Sequence, residues 1–214
     1  MTIRAIHRAT LLAALASSTL SAQGQRSVGI VPFDVTSIEG SGVEAGRVLA
    51  TLVRVELLNN QRLLPRLIKL PEGARLPLQT KDASTLGRDS EVEFIVVGTV
   101  LEASSARSNN RATTRAIGKV LGGAGAGVSG SLTRTTAKVT LHVQLVPSKS
   151  SDPQAFEVSE SHTDIGVGAD LHTTLGAFSA GDAGWQKTPM GKALRDAARK
   201  ISVELAQRIA KMAS

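Results

Sequence analysis

The sequence of 214 residues contains no cysteine and no tyrosine, and it has one tryptophan and four phenylalanines. Without cysteine the chain can form neither disulfides nor cysteine metal sites, and it has no catalytic thiol and no cysteine that could carry a lipid. The shortage of aromatic rings leaves little to stack on nucleic-acid bases. The missing residues therefore exclude thiol chemistry and argue against nucleic acid as a partner.

Residues 1–22 have the layout of a secretory signal peptide. Arg4 and Arg8 form a basic start, an apolar run follows over 11–20, and small residues end the segment at Ala22. The apolar run is too short to span a bilayer as a helix. We therefore expect cleavage after Ala22 and export of a single domain, residues 23–214, to the periplasm or outer membrane of a bacterium. The alternative is a plain N-terminal helix of the domain.

Basic residues outnumber acidic ones in this chain. The formal net charge is +7, and it falls to +5 when Arg4 and Arg8 are removed with the leader. An excess of this size favours anionic partners such as the phosphates of a bacterial envelope. A generally basic surface that binds no ligand explains the charge equally well, so both interpretations stay open.

Hydrophobic periodicity predicts two helices and five strands. Residues 43–58 have helical spacing, and Thr188 and Pro189 begin a second helix as its N-cap and first residue. The predicted strands cover 27–33, 63–70, 92–101, 137–146 and 156–163. In 137–145 apolar residues hold the odd positions, as in a half-buried strand. The order β-α-β-β-β-β-α predicts an α/β (α+β) fold in which helices flank a mixed β-sheet.

Several of these segments contain signs of their place in the fold. Pro65 lies inside the 63–70 strand and predicts an edge position, because proline cannot donate to a ladder. The 92–101 strand is almost wholly apolar, which predicts a central strand covered on both faces. Gly98 within it predicts a bulge or close backbone packing. The polar stretch 71–90 contains prolines and is interpreted as a connection without a helix.

Two long insertions, 104–136 and 165–187, are rich in glycine and exceed the length of ordinary turns. We expect both to be hairpin-like. Basic residues recur at every fourth position of the first insertion: Arg107, Arg111, Arg115 and Lys119. On a helix these residues would form one basic stripe, and on a strand they would share one face, so they form a candidate pore or partner face. A solvated basic loop is the alternative.

The second insertion alternates apolar and polar residues over about ten positions, as expected of a strand that crosses an outer membrane. The apolar set is a candidate membrane face: Ile165, Val167, Leu171 and Leu175. Asp170 and His172 belong to the polar set and join the candidate pore or partner face. Neither insertion has a girdle of tyrosines, which argues against a pore.

The sequence contains no motif that predicts an enzyme. Residues 125–130 match a dinucleotide fingerprint by letter, but they precede a strand, whereas that motif follows a strand and opens a helix. The histidines lack metal-ligand spacing, and no pair of carboxylates is placed for acid–base catalysis. We therefore expect a protein that is not an enzyme and needs no cofactor or metal. A hydrolase with an unrecognised site is a distant alternative.

In four segments the chain resembles the curli production assembly and transport family of CsgG-type secretion channels. The segments are VGIVPFD at 28–34, FIVVGTV at 94–100, the glycine-rich loop running into AKVTLHVQLV at 137–146, and TPMGKALRDAA at 188–198. The resemblance implies a periplasmic α/β domain that assembles into rings. In the channel members, two hairpins per subunit build a shared outer-membrane pore, and their positions correspond to the two insertions.

The chain departs from the channel pattern in three respects. It has no lipid-bearing cysteine, its segment 63–90 lacks the usual second helix and keeps only Arg66 of an arginine motif, and its insertions are weakly apolar. The leading hypothesis is a homo-oligomeric envelope subunit for protein export or surface assembly. Its partners would be an exported protein, other envelope proteins and the outer membrane. A soluble periplasmic adaptor on the same fold, which binds a partner or an envelope polymer, is the alternative.

Overall fold

The computed structural model describes residues 24–36, 43–111, 131–150, 152–167 and 184–212. They form, in order, β1 (Arg26–Ile30), α1 (Val43–Leu58), β2 (Leu63–Leu67), α2 (Thr80–Asp89), β3 (Phe94–Arg111), β4 (Ser131–Pro147), β5 (Gln154–Val167) and α3 (Pro189–Met212), with a short 3-10 helix, Trp185–Lys187, before α3. Within these ranges no helix is both long and apolar enough to span a bilayer. The predicted leader, residues 1–22, lies outside them.

The five strands form one mixed sheet in the order β2-β1-β3-β4-β5. β1 is parallel to β2 and to β3, whereas β4 is antiparallel to β3 and to β5. The mixed sheet with flanking helices confirms the predicted fold class. β3 is the central strand, as predicted, and β2 with its Pro65 lies at one edge, as proline requires.

Helices cover both faces of the five-stranded part of the sheet. α1 and α3 pack on one face, where they bury Ile30, Phe33 and Leu141 with their own apolar side chains. α2 packs on the opposite face, over Ile95 and Val146. Because successive residues of a strand point to opposite faces, the almost wholly apolar start of β3 supplies both cores.

Gly98 lies at a point of close packing in β3, as predicted. A Cβ atom at this position would overlap the ring of Phe33. Two residues later the register of β3 against β4 shifts by one between Val100 and Glu102, which leaves Leu101 as a β-bulge. Of the two alternatives predicted for Gly98, close packing is therefore the one present at that residue, and the bulge lies at Leu101.

The prediction that 71–90 contains no helix is wrong, because α2 occupies Thr80–Asp89. Its buried face consists of Ala83, Ser84 and Gly87, so the spacing of large apolar residues that indicates a helix is absent. The Ser84 hydroxyl donates to the carbonyl oxygen of Ser148 at 3.1 Å, and a Cβ atom on Gly87 would overlap the Ser148 side chain. Small residues thus let α2 lie close against the sheet.

β3, β4 and β5 are longer than predicted. Residues 104–111 and 131–136 of the first insertion are strand, and so are 165–167 of the second. Side chains 104–108 are all exposed, so the apolar alternation that marks a half-buried strand disappears while the backbone ladder continues. β3 and β4 thus form an antiparallel hairpin, and the rest of both insertions lies outside the described residues.

The start of α3 agrees with its predicted signals. Pro189 is the first helical residue, and the Thr188 hydroxyl accepts a hydrogen bond from the Gly191 N–H at 3.1 Å. The same hydroxyl donates to the carbonyl oxygen of Trp185 at 2.6 Å. Thr188 is therefore the N-cap of α3 and also fixes the preceding 3-10 helix to it.

Candidate assembly surface

The sheet narrows from five strands to three in the second half of β3. Among the described residues, β1 pairs with β3 at Phe94, Ile95 and Val96, and one further bridge joins Asp34 to Thr99. From Glu102 onward, the strand that pairs with β3 in the described ranges is β4, and β4 continues to pair with β5 as far as Val167. We call this three-stranded part, residues 102–111, 131–140 and 159–167, the ribbon.

The ribbon has two edges without a partner strand in the described part of the chain. One is the outer side of β3 beyond the bulge, and the other is the outer side of β5, which is 14 residues long. β5 contains no proline, and its register with β4 has no shift. Regular edges of this kind present rows of N–H and C=O groups that can pair with another chain.

One surface of the ribbon, which we call the open face, lies opposite the α3 side and is hydrophilic. Its side chains form four rows across β3, β4 and β5: Glu102, Thr140 and Ser159; Ser104, Lys138 and Ser161; Ala106, Thr136 and Thr163; and Ser108, Arg134 and Ile165. The Lys138 ammonium donates to Glu102 at 2.7 Å, and with the Ser104 hydroxyl this bond lowers the pKa of Glu102. The Thr136 and Thr163 hydroxyls lie 3.0 Å apart. The open face thus satisfies many of its polar groups internally.

On the other side, charged residues join β5 to the first turns of α3, and we call these contacts the α3–β5 seam. The Lys192 ammonium donates to both carboxylate oxygens of Asp164 at 2.8 Å. Two turns later, the Lys200 ammonium donates to Glu160 at 3.0 Å. The bond from Lys192 is the main cause that lowers the pKa of Asp164, against an opposing effect of burial. The seam fixes β5 of the ribbon, from Glu160 to Asp164, to the helix that covers the core.

His162 lies in the middle of the seam. Its Nε2 is 3.3 Å from an Asp164 oxygen, and its Nδ1 is 3.8 Å from an oxygen of Asp196 on α3. The two ring nitrogens therefore face different carboxylates instead of converging with them on one point. Among the described residues, no three His, Asp or Glu side chains are grouped to hold a metal ion.

The structure describes part of the candidate faces predicted from the sequence. Arg107 is exposed on β3 and lies in register with Thr135 and Asp164, which places it on the α3 side of the ribbon. Ile165 is 71% exposed and lies on the open face, opposite Arg134. A basic candidate and an apolar candidate thus lie on opposite faces of the same ribbon.

The remaining candidates lie at the ends of these strands or beyond them. Arg111 ends β3 and Val167 ends β5. The others lie outside the described residues: Arg115, Lys119, Asp170, Leu171, His172 and Leu175. Their assignment to a pore, partner or membrane face stays a prediction.

The seam was not found from the sequence. Asp164 and Lys192 are 28 residues apart, and their contact depends on the register of β5 and on the rotation of α3. The signal that could have predicted the seam is that charged residues recur at about the same distance along the strand and along the helix. Glu160, His162 and Asp164 share one face of a strand, and Lys192, Asp196 and Lys200 share one face of a helix, at about the same pitch.

No protein-family model and no curated protein sequence matches the chain. A hypothetical protein of Chlamydia trachomatis is similar in structure, with a TM-score of 0.48 at 12% identity over 85% of this chain and 96% of that one. The PelC dodecamer subunit of Paraburkholderia phytofirmans has a TM-score of 0.42 at 12% identity, over 84% and 86% of the two chains. A lipoprotein of Neisseria meningitidis has a TM-score of 0.36 at 13% identity, over 64% and 83%. Likenesses of this size carry no information on function.

Proposed function

We propose that this chain is a non-enzymatic subunit of a bacterial cell-envelope assembly, in which copies associate edge to edge into a ring that serves protein export or surface assembly at the outer membrane. The observation that carries the proposal is the ribbon, whose two unpartnered edges belong to different strands within the described residues. The signal-peptide pattern supports an envelope location. The resemblance to the CsgG-type family supports a ring.

A closed ring needs a head-to-tail interface, in which one surface binds a different surface of the next copy. β3 and β5 run in the same direction, because both are antiparallel to β4. When β5 of one copy lies beside β3 of the next, the pairing is parallel and the same arrangement repeats around the ring. Pairing two β5 edges would instead close a two-fold dimer. The two unlike edges therefore favour a ring.

The predicted faces fit such a ring in the following way. Arg107, on the α3 side, would belong to the polar lining or partner surface together with the other basic positions of the first insertion and with Asp170 and His172. Ile165, on the open face, would begin the membrane-facing side that continues through the apolar positions of the second insertion. The opposite placement of Arg107 and Ile165 supports this assignment.

The mass of residues 23–214 in solution tests the assembly. Light scattering in buffer and in mild detergent should give a ring-sized oligomer, and the oligomer should depend on detergent when the apolar side needs a membrane substitute. A monomer under both conditions would contradict the ring.

Engineered cysteines test which edges meet, and the chain has no native cysteine to interfere. Ser104→Cys on β3 can be combined in turn with Ser159→Cys, Ser161→Cys or Thr163→Cys on β5. Within one copy these strands are separated by β4, about 10 Å apart, which is too far for a disulfide. Oxidation should therefore link copies into a ladder of oligomers in at least one combination.

The matched control combines Ser104→Cys with Arg66→Cys, because Arg66 is exposed on the opposite edge of the sheet. This pair should give no ladder. Equal linking in the control, or no linking in any β3–β5 combination, would contradict association through the ribbon edges.

A soluble periplasmic adaptor on the same fold is the second candidate function. The observation that favours it is the hydrophilic open face, on which Arg134, Lys138 and Glu102 accompany hydroxyl side chains. Such a face suits an aqueous partner surface. The light-scattering measurement separates the candidates, since an adaptor stays monomeric with and without detergent.

A further inference from the structure

A groove of about 580 Å³ opens at the carboxyl ends of β1 and β2, on the β2 side of the sheet. Its lining is mainly aliphatic and includes Pro32, Val48, Leu67, Ile68 and Leu76, with Trp185 as the aromatic member. The volume lies within the range of about 300–1,000 Å³ that is usual for small-molecule sites, which are also mostly apolar. The groove is therefore large enough and apolar enough to hold a small lipophilic ligand.

The groove also lies where the chain topology favours a ligand site. After β1 the chain enters α1, which packs on the same face of the sheet as α3, whereas after β2 it enters α2, which packs on the opposite face. The connections that follow two neighbouring parallel strands thus diverge and leave a crevice between them. Open α/β sheets bind ligands in crevices of this kind, at the carboxyl ends of their strands.

Charged residues at the groove indicate the polarity of the ligand. Glu44, Arg47 and Lys69 are the charged groups that border it. The Arg47 guanidinium lies 3.2 Å from the Glu44 carboxylate, which offsets its charge. Lys69 is exposed and forms no ion pair within the described ranges. An ammonium that has no ion pair among the described residues, beside an aliphatic groove, is complementary to a ligand with an apolar body and a carboxylate end.

We propose that this groove binds a free fatty acid, with the acyl chain on the aliphatic lining and the carboxylate at Lys69. An acyl chain suits walls made of branched aliphatic side chains and proline. The site does not depend on ring assembly, because the edges that would join copies lie on β3 and β5.

Trp185 provides a direct readout, since it is the single tryptophan of the chain, lines the groove and is 6% exposed. Titration of residues 23–214 with dodecanoate, kept below its micelle concentration, should change the Trp185 fluorescence to a plateau at one ligand per chain. Methyl dodecanoate has the same chain without the charge, and it should bind several-fold more weakly.

Two pairs of variants locate the site. Leu67→Asp places a carboxylate in the apolar lining, and we expect it to weaken binding by at least about tenfold. Its control is Leu64→Asp on the same strand: Leu64 is 38% exposed, against 46% for Leu67, but does not line the groove. Lys69→Glu should weaken dodecanoate by roughly tenfold and remove its advantage over the ester. Lys81→Glu, an exposed position on α2, should change neither.

A flat titration with the unmodified chain would overturn the fatty-acid site. It would also be overturned if Leu64→Asp weakened binding as much as Leu67→Asp, because the response would then not come from the groove. Equal binding of acid and ester would overturn the role of Lys69. Both leucines are partly exposed, so neither change is expected to unfold the protein, and circular dichroism of each variant checks this.

Discussion

We call the helix-covered remainder of the sheet the base: β1, β2, β3 up to Val100, β4 from Leu141 and β5 up to Val158. The base and the ribbon share the strands β3, β4 and β5, but they are stabilised by different interactions. Along β4, Leu141, Val143 and Leu145 are fully buried in the base, whereas Arg134 and Lys138 are exposed in the ribbon. In the base, helices cover both faces of the sheet. In the ribbon, α3 covers one face over Ala137 and Val139, which are fully buried, whereas the open face carries hydroxyl pairs and a surface ion pair.

This difference separates the part that stabilises the fold from the part that is available to a partner. Burial of one large aliphatic side chain contributes about 1.5–3 kcal/mol, whereas an exposed ion pair contributes about 0–1 kcal/mol. The two sheet edges follow the same division. β2 is five residues long and contains Pro65, which blunts it, whereas β5 is 14 residues long and regular. The β2 edge, which belongs to the base, is thus better protected against pairing with another chain than the β5 edge, which continues into the ribbon.

The largest expected effect compares two positions of β4. Leu141→Ala removes a fully buried side chain from the base, and it should lower the free energy of unfolding by about 2–5 kcal/mol. Thr136→Ala removes an exposed hydroxyl pair from the ribbon, and it should cost no more than about 0.5 kcal/mol. Urea denaturation of residues 23–214 measures both. Equal losses would show that the ribbon contributes to stability as the base does.

The next effect concerns α3, which spans both regions. Thr188→Ala removes the N-cap bond to Gly191 and the bond to the Trp185 carbonyl, and it should cost about 0.5–2 kcal/mol. Thr188→Ser keeps the hydroxyl and should restore most of the loss in thermal denaturation. If serine and alanine destabilise the protein equally, the methyl group of Thr188 matters and the cap does not.

The smallest effect concerns the seam that connects the ribbon to α3. Lys192→Met should cost less than about 1 kcal/mol at pH 7, because the pair with Asp164 is partly exposed. The folded state lowers the pKa of Asp164, so the pair stabilises the protein above the ordinary aspartate value of about 4. The contribution is lost as the pH falls through the lowered folded value.

Urea denaturation at pH 7 and at about pH 3 checks this dependence. The difference between the unmodified chain and Lys192→Met should shrink at the lower pH. Lys149→Met, an exposed change in the turn after β4, serves as the control and should show no such trend. A difference that persists at low pH would mean that Lys192 stabilises α3 by packing instead of by its charge.

Sequence patterns predicted the base of this fold well, because buried residues recur there at the regular spacing of a strand or a helix. The bounds of α1, the N-cap at Thr188, the edge position of Pro65 and the close packing at Gly98 all follow from residues with one favoured structural role. α2 was missed for a physical reason. It contacts the sheet through Ala83, Ser84 and Gly87, which are suited to this contact because they are small. Hydrophobic periodicity detects large apolar side chains, so it gave no signal for this helix.

The outer part of the ribbon was predicted less completely because the side chains of 104–108 and 134–136 are exposed or half-buried. Its strands continue past 101 and before 137 without apolar alternation, so their ends could not be found from periodicity. The seam between Asp164 and Lys192 needs tertiary register, which spacing along the chain does not give. The candidate pore, partner and membrane faces were inferred only from the spacing of residues along a strand. Of their members, Arg107 and Ile165 are the ones that the structure assigns to a face of the ribbon.

The bulge at Leu101 decides which side of the protein the basic positions of β3 occupy. Before it, the even residues Phe94 and Val96 face α1 and α3; after it, odd residues such as Arg107 lie on that side. Because of this one extra residue, even-numbered and odd-numbered side chains exchange faces of the sheet for the rest of β3. A regular ladder that paired Leu101 with Thr140 would present each later side chain of β3 to the opposite environment. A deletion of Leu101, by contrast, would leave Glu102 opposite Thr140 and every later side chain on its present face, because the ladder already skips the residue that is removed.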